Sequence, residues 1–499
     1  MIEAMLSLFS LDILLPWLLA MVLGVFIGAM PGLTATMGVA LIVPLTFHMK
    51  PIAGLAMILG LSFTSIFAGD IPATFMRVPG TPASGAAVLD GYEMSKRGRG
   101  SLAIMIDLFC STLGGLIGVI LLITISPTLA KFALKFTHFE YFWLGVLGLS
   151  MSAVITKESN IKGLISVSGG LLLSTIGIDP STGFPRFTFG NINLMGGINF
   201  IPVMIGLFGI SEVLRAISTQ SQDQLDSAAV MQREKVKILD VLKIMGKNKR
   251  LIGQSSLIGT LIGALPGAGA DIAAWVSYGL AKKTSKSPEK FGTGSEEGVI
   301  APTTANNAAL GGTWIPALVF GIPGDTITAI VLGAMLMYGL KPGPLVFQDN
   351  KILINQIFSV ALLSQIFLLI LGYLGIKAFT WVFKFPKNIV LAGITIFSLV
   401  GSYAIRMNIF DVLLVAVFGI LGFFMEKIKV PLAPFILGLV LGPMIEDNLR
   451  IGLIKSDGRI LPFLTRPISA MFALILLFLF LYEPIMGLVR KARGKSRAS

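Results

Sequence analysis

Cysteine occurs once in these 499 residues, at Cys110, and histidine only twice, at His48 and His138. One thiol excludes an intrachain disulfide, and one thiol with two isolated imidazoles offers no zinc-ligand spacing and no H-E-x-x-H helix. Charge is scarce as well: Asp, Glu, Lys and Arg make up 13% of the chain, about half the roughly 25% of a soluble protein. No G-x-x-x-x-G-K-[ST] loop is present, which excludes ATP held on that phosphate cradle. An integral-membrane enzyme acting on a lipid-linked or small anionic substrate is the competing class, and it would want paired D-x-x-D motifs at a membrane face; the sequence holds one D-x-x-D, Asp223–Asp226 in the polar connector, and no pair.

What is plentiful points to a bilayer. Hydrophobic residues reach 54%, and the mean hydropathy is +0.85. Apolar stretches of spanning length recur at Ile13–Met30, Leu102–Ser126 (interrupted by Asp107), around Phe200–Phe208, at Ile352–Phe383 and at Ile468–Tyr482. The expected fold is an all-α polytopic membrane protein of about 10–12 transmembrane helices, judged on the ~20 apolar residues each crossing needs. Met1–Leu18 lacks a basic n-region, so it is not expected to be a signal peptide. The net charge of +13 does not imply nucleic acid, because the basic residues sit in short loops and the tail, as orientation signals do.

Glycine (56 residues) and proline (25 residues) are abundant and ordered. G-V-F-I-G-A-M-P-G-L-T-A-T at Gly24–Thr36 returns as G-T-L-I-G-A-L-P-G-A-G-A-D at Gly259–Asp271. Each copy is followed by Ile-Pro-Ala, five residues and Pro-Gly, at Ile71–Gly80 and Ile315–Gly324. Two motifs in one order, twice, predict a duplicated unit. Basic loop residues follow the second motif in the first half (Lys96–Arg99) but the first motif in the second half (Lys282, Lys283, Lys286), which predicts inverted topology. The expected organisation is a first repeat with following helices at 1–217, a polar and basic connector at 218–250, a second repeat at 251–350, further helices at 351–489 and a basic tail at 490–499. Connector and tail are expected in the cytoplasm.

Within these motifs, the G-x-x-x-G pairs Gly24/Gly28 and Gly259/Gly263 read as close helix packing. The Pro-Gly points read differently. Proline removes a backbone donor and glycine permits unusual dihedrals, so Pro31-Gly32, Pro79-Gly80, Pro266-Gly267 and Pro323-Gly324 predict broken or re-entrant helices. Broken backbone inside a membrane is tolerated where it lines a cavity, and paired breaks in two halves point to a transporter's substrate site. Thr34, Thr36, Thr81, Gly269 and Thr326 flank the breaks and join the substrate-binding candidates. Freed amides favour an anion, whereas freed carbonyls with Asp or Thr oxygens suit a hard cation such as sodium. Asp70, Asp271, Asp325 and Thr328 are therefore the ion-coupling candidates. Arg77, an ionisable group at apparent membrane depth, is a further substrate-binding candidate; Asp70 and Arg77 also read as a structural pair, and Arg77 as a side chain snorkelling to an interface. Asn306 and Asn307 read either as interhelical glue or as ligands of a substrate carboxylate or its ion. Glu158, Glu212 and Glu426 read as interfacial.

Several of these stretches resemble the large membrane subunit of the tripartite tricarboxylate transporters. They include S-Y-G-L-A-K-K-T-S-K-S-P-E-K-F-G (Ser277–Gly292), A-P-T-T-A-N-N-A-A-L-G-G (Ala301–Gly312), G-I-P-G-D-T-I-T-A-I-V-L-G-A (Gly321–Ala334) and K-P-G-P-L-V-F (Lys341–Phe347). In the first half, Gly28–Phe47 and Pro79–Gly98 match too. The resemblance implies a translocation subunit in a bacterial or archaeal cytoplasmic membrane. It also implies a small four-span membrane subunit and an extracytoplasmic solute-binding protein as partners. The implied cargo is a small carboxylate, driven by a cation gradient, usually sodium, with no other cofactor. Three positions depart from the family's pattern: Thr303 replaces a Glu, Asp70 ends a usual Gly-Gly-Ser, and Arg77 stands where Asn is common. They weaken the case for citrate itself and leave the transporter class intact.

Overall fold

The computed structural model describes residues 2–30, 33–154, 159–179, 182–218, 236–382 and 387–479. Among these, eight helices are long and apolar enough to cross a membrane, and three shorter apolar helices span Ala35–Thr46, Thr326–Met337 and Pro467–Leu479. The strands described are the two-residue pair Gly177–Ile178 and Pro185–Arg186. The protein is an all-α polytopic membrane protein. Most of the connector (219–235), the tail, Glu158, Pro31 and Gly32 lie outside the described residues.

The first repeat consists of α1 (Leu11–Ala29), α2 (Ala35–Thr46), α3 (Pro51–Ala68), α4 (Asp70–Met76) and α5 (Val88–Lys96). Long α6 (Gly100–Ala133), α7 (His138–Val154), α8 (Asn160–Ser174), α9 (Phe200–Ser218) and short α10 (Ile238–Lys247) follow. The second repeat consists of α11 (Lys249–Gly263), α12 (Gly269–Thr284), α13 (Glu296–Phe320) and α14 (Thr326–Met337). The chain continues through α15 (Lys351–Val382), α16 (Lys387–Arg406), α17 (Ile409–Lys427) and α18 (Leu432–Lys455).

Local chemistry sets the repeat boundaries. Pro51 starts α3 at a position where its missing N–H costs nothing. Thr34 caps α2 by accepting from Met37 N–H at 3.2 Å, and Ser295 caps α13. Gly321, at φ 69° and ψ 23°, closes α13 in the left-handed conformation before Pro323 forbids continuation. α2 and α14 have 12 residues each. At 1.5 Å per residue that is about 18 Å, too short for a crossing but right for one arm of a re-entrant hairpin.

The two repeats pack alike and run in opposite directions. Gly24 lies on Leu61 and Thr64, and Gly28 lies on Ser65, so α1 runs parallel to α3. Gly259 lies on Ala305 and Gly263 on Ala309, so α11 runs parallel to α13 in the same relation. A Cβ at any of the four would overlap a neighbouring carbonyl or side-chain oxygen, which accounts for glycine at these close approaches. Lys50 Nζ meets Asp12 Oδ2 at 2.6 Å and ties the α2–α3 loop to the start of α1 at a first face. At the opposite face Arg99 Nη2 meets Glu296 Oε1 at 2.6 Å, joining the start of α6 to the start of α13. The first repeat therefore starts where the second ends, which is the inverted arrangement expected. The continuous stretches Ile52–Thr74 and Gly298–Val319 are buried throughout and form the centre of the bundle.

One carboxylate fastens the repeats at the second face. Asp90, fully buried on α5, accepts from the amides of Gly292, Gly294 and Ser295 at 2.7–2.9 Å and from Tyr278 Oη at 2.9 Å. All four donors belong to the second repeat.

Candidate functional site

Both hairpins turn inside the bundle, and their tips face one cavity of about 890 Å³. That is within the roughly 300–1,000 Å³ of small-molecule sites. Its inner wall carries Thr34, Ala35 and Thr36 from the first hairpin tip, and Thr81 and Pro82 after the Pro79-Gly80 break. The second repeat contributes Gly267–Ile272 from its tip and Asp325–Ile327 after the Pro323-Gly324 break. Residues beside all four Pro-Gly points thus meet at one place, although Pro31 and Gly32 themselves lie outside the described residues. In the second repeat the two breaks are bonded together, Gly267 N–H donating to the Gly324 carbonyl at 2.8 Å; in the first, Gly80 N–H donates at 3.0 Å to the carbonyl of Gly69, between α3 and α4. Gly80 also sits against the Gly28 carbonyl, as Gly324 does against that of Gly263.

The hairpin geometry aims three helix N-termini, those of α2, α12 and α14, at this wall. Unsatisfied amides and the helix dipole make each end electropositive. Two of these ends carry an acid. Asp325 forms a capping box in which its Oδ1 accepts from Thr328 N–H at 2.8 Å and Thr328 Oγ1 at 2.6 Å. Asp271 lies in the first turn of α12 and lines the cavity. Gly269, at φ 59°, brings the tip so close that an added Cβ would be 3.0 Å from Asp325 Cβ. Thr36 Oγ1 and Thr326 Oγ1 are 2.9 Å apart and join the two repeats across the site.

The outer wall comes from helices beyond the repeats. Phe208, Glu212, Arg215 and Ser218 from α9 face Phe423, Glu426, Lys427 and Lys429 at the end of α17. Phe200, at the start of α9, packs on Gly333 of α14 near the first face, so α9 runs toward the second face and the cavity extends that way. Glu212 and Arg215 form an ion pair. Glu212 and Glu426, read from the sequence as interfacial, thus line the cavity together with three cations that sequence reasoning missed.

The structure leaves other sequence candidates elsewhere. Arg77 is exposed, caps α4 in the left-handed region and lies over the Tyr92 ring at 5.7 Å, away from the cavity. It is not paired with Asp70, which is buried at 1% exposure. Asn306 and Asn307 are buried in α13 behind the cavity wall, and Asn306 Nδ2 donates to Asp70 Oδ2 at 3.2 Å. Pro79, Pro266, Pro323 and Thr328 shape the breaks without lining the cavity.

Residues 14–437 match the family model described as the tripartite tricarboxylate transporter TctA family. The chain belongs to that family. A relative from Agrobacterium vitis, the uncharacterized 52.8 kDa protein in the TAR-I ttuC' 3'region, is 36% identical over 448 residues, covering 90% of this chain and 88% of the relative. A second Agrobacterium vitis protein, from the TAR-II ttuC' 3'region, is 38% identical over 237 residues, covering 48% of this chain and 96% of the relative. No solved structure matches the chain. The family is one of transporters, and the spanning helices described above fit a multi-pass membrane protein.

Proposed function

We propose that this chain is the translocation subunit of a binding-protein-dependent secondary transporter that imports small organic anions, tri- or dicarboxylates, driven by a cation gradient, with sodium as the coupling ion. Its partners in this reading are a small four-span membrane subunit and an extracytoplasmic solute-binding protein, in a bacterial or archaeal cytoplasmic membrane. The observation that carries the reading is the convergence of three helix N-termini and residues of all four breaks on one cavity. A carboxylate there would accept from helix-end amides and the hydroxyls of Thr34, Thr36 and Thr326, bonds about twice as strong as neutral ones. Asp271 and Asp325 would repel that anion unless a cation accompanies it. Oxygen-rich Asp and Thr side chains at broken helix ends suit sodium, which supports coupled entry of ion and substrate.

The basic segments Lys96–Arg99 and Lys282–Lys290 lie at the second face, which the positive-inside bias makes cytoplasmic. The cavity then faces the cytoplasm, as in the release state of an alternating-access cycle. Uptake of a labelled carboxylate panel into proteoliposomes, with purified partners and with or without a sodium gradient, tests the reading. Transport of neutral or cationic solutes in preference to every carboxylate would overturn it.

A further inference from the structure

Behind the cavity wall, where α4, α6 and α13 meet, lies a second polar cluster. Asp70 begins α4, Asp107 and Ser111 lie on α6, and Asn306 and Asn307 lie on α13. Both carboxylates are 1% exposed and both asparagines 0%. Asp70 is close enough for its charge to act on Asp107, and no Lys or Arg acts on either among the described residues. Ser111 Oγ stands 2.8 Å from Asp107 Oδ1 and 3.1 Å from the Thr303 carbonyl, which fixes Asp107 against α13 one turn before Asn307. Asn306 Nδ2 donates to Asp70 Oδ2 at 3.2 Å, which ties Asp70 to α13 as Ser111 ties Asp107.

The cluster is incompletely bonded. Asp70 Oδ1, Asp107 Oδ2, Asn306 Oδ1 and both polar atoms of Asn307 have no partner within 3.5 Å, although the Ser84 hydroxyl also acts on the Asp70 carboxylate. Most of these orphaned atoms are oxygens, and two belong to carboxylates that share no cationic side chain. An unpaired buried charge costs several kcal/mol, as an order of magnitude, and unpartnered amides add to that. A hard cation satisfies such a set at once, because it takes carboxylate and amide oxygens together. We propose that Asp70, Asp107 and Asn306, with Asn307, form an enclosed binding site for one sodium-sized cation, separate from the cavity. Its consequence for transport rests on the function proposed above, since Asp70 adjoins Gly69, whose carbonyl holds the Gly80 break. A cation bound there would stiffen one wall of the cavity.

The test is sodium binding to the purified full-length chain, read as thermal stabilisation in sodium, lithium or potassium chloride against choline chloride. Wild type should be stabilised by sodium. Asp70→Asn and Asp107→Asn should lose at least roughly tenfold in apparent sodium affinity, the amide keeping the shape while removing the charge. In choline both variants should be as stable as wild type or more so, and Asn306→Ala should weaken sodium without removing its effect. Gly253→Ala, at an open position on α11 outside both sites, should retain the response. Undiminished sodium stabilisation in both Asp variants would overturn the site, as would a wild type that responds to pH but to no alkali ion. Sodium-driven uptake with no Asp70- or Asp107-dependent binding would sink this site and leave the proposed function standing. Intact binding with no carboxylate uptake would do the reverse.

Discussion

Arg77 and Gly321 occupy the same left-handed position at the ends of repeat-related helices, at φ 59°, ψ 21° and φ 69°, ψ 23°. Both follow an Ile-Pro-Ala segment and precede a Pro-Gly break. Glycine adopts this conformation freely, whereas an L side chain is strained by about 1–2 kcal/mol. Arg77→Gly should therefore leave thermal stability unchanged or raise it by up to ~1 kcal/mol, and Gly321→Arg should lower it by about 1–2 kcal/mol. Because Arg77 points away from the cavity, Arg77→Gly should also keep carboxylate uptake. Loss of uptake in a stably folded Arg77→Gly protein would return the guanidinium to the substrate path.

The glycine seams invite a paired comparison. A Cβ at Gly259 would overlap the Ala305 carbonyl, while nothing lies within 4 Å of one at Gly253 on the same helix. Gly259→Ala should cost about 1–3 kcal/mol by overpacking, whereas Gly253→Ala should be neutral or stabilise by up to ~1 kcal/mol through helix propensity. Melting temperatures of the two variants in one detergent decide it. Equal effects would mean that the α11–α13 contact is looser than described.

Asp90 is the clearest stability prediction. Its carboxylate engages three amides and a tyrosine hydroxyl of the other repeat. Asp90→Ala strands these donors; water can reach the exposed Gly292 and the half-buried Gly294 and Ser295 but not the buried Tyr278 hydroxyl, so a loss of about 1–3 kcal/mol is expected. Proteolysis of Lys282–Lys290 should accelerate in that variant. Normal melting and unchanged cleavage would show that the loop holds itself.

The acids of the cavity should separate function from folding. Asn caps a helix about as well as Asp, so Asp325→Asn should stay within ~1 kcal/mol of wild type. Asp271→Asn and Asp325→Asn should nonetheless abolish gradient-driven uptake at near-normal expression. Sodium dependence preserved in both variants would remove these acids from ion coupling.

The outer cations call for a kinetic measurement. Lys427 and Lys429 are exposed at the rim of the cavity, within the screening range of salt. Their double change to Gln should slow anion exchange several-fold at low ionic strength, with the difference shrinking as salt rises. A deficit independent of salt would point to a structural cause, such as relief of the left-handed backbone at Lys429.

Much of the architecture was legible in the sequence. Spanning helices follow from apolar runs, because the bilayer demands length and composition before contact. The duplication, its inversion and the Pro-Gly breaks were legible as well, since proline and glycine act on the backbone of their own residue. Gly24, Gly28, Gly259 and Gly263 were read as packing positions, and they lie in the seams. Which side chains share a site was decided only by the tertiary structure. Glu212, Arg215, Lys427 and Lys429 come from helices outside the repeats, and nothing local in them announces a cavity wall. Arg77 and Asp70 are seven positions apart, yet the left-handed turn sends one outward while α13 encloses the other. Asp107 looked like an interruption in an apolar run until α6 set it beside Asp70. Backbone breaks are local properties of residue type, whereas the partners of a buried polar atom depend on which distant helix packs against it.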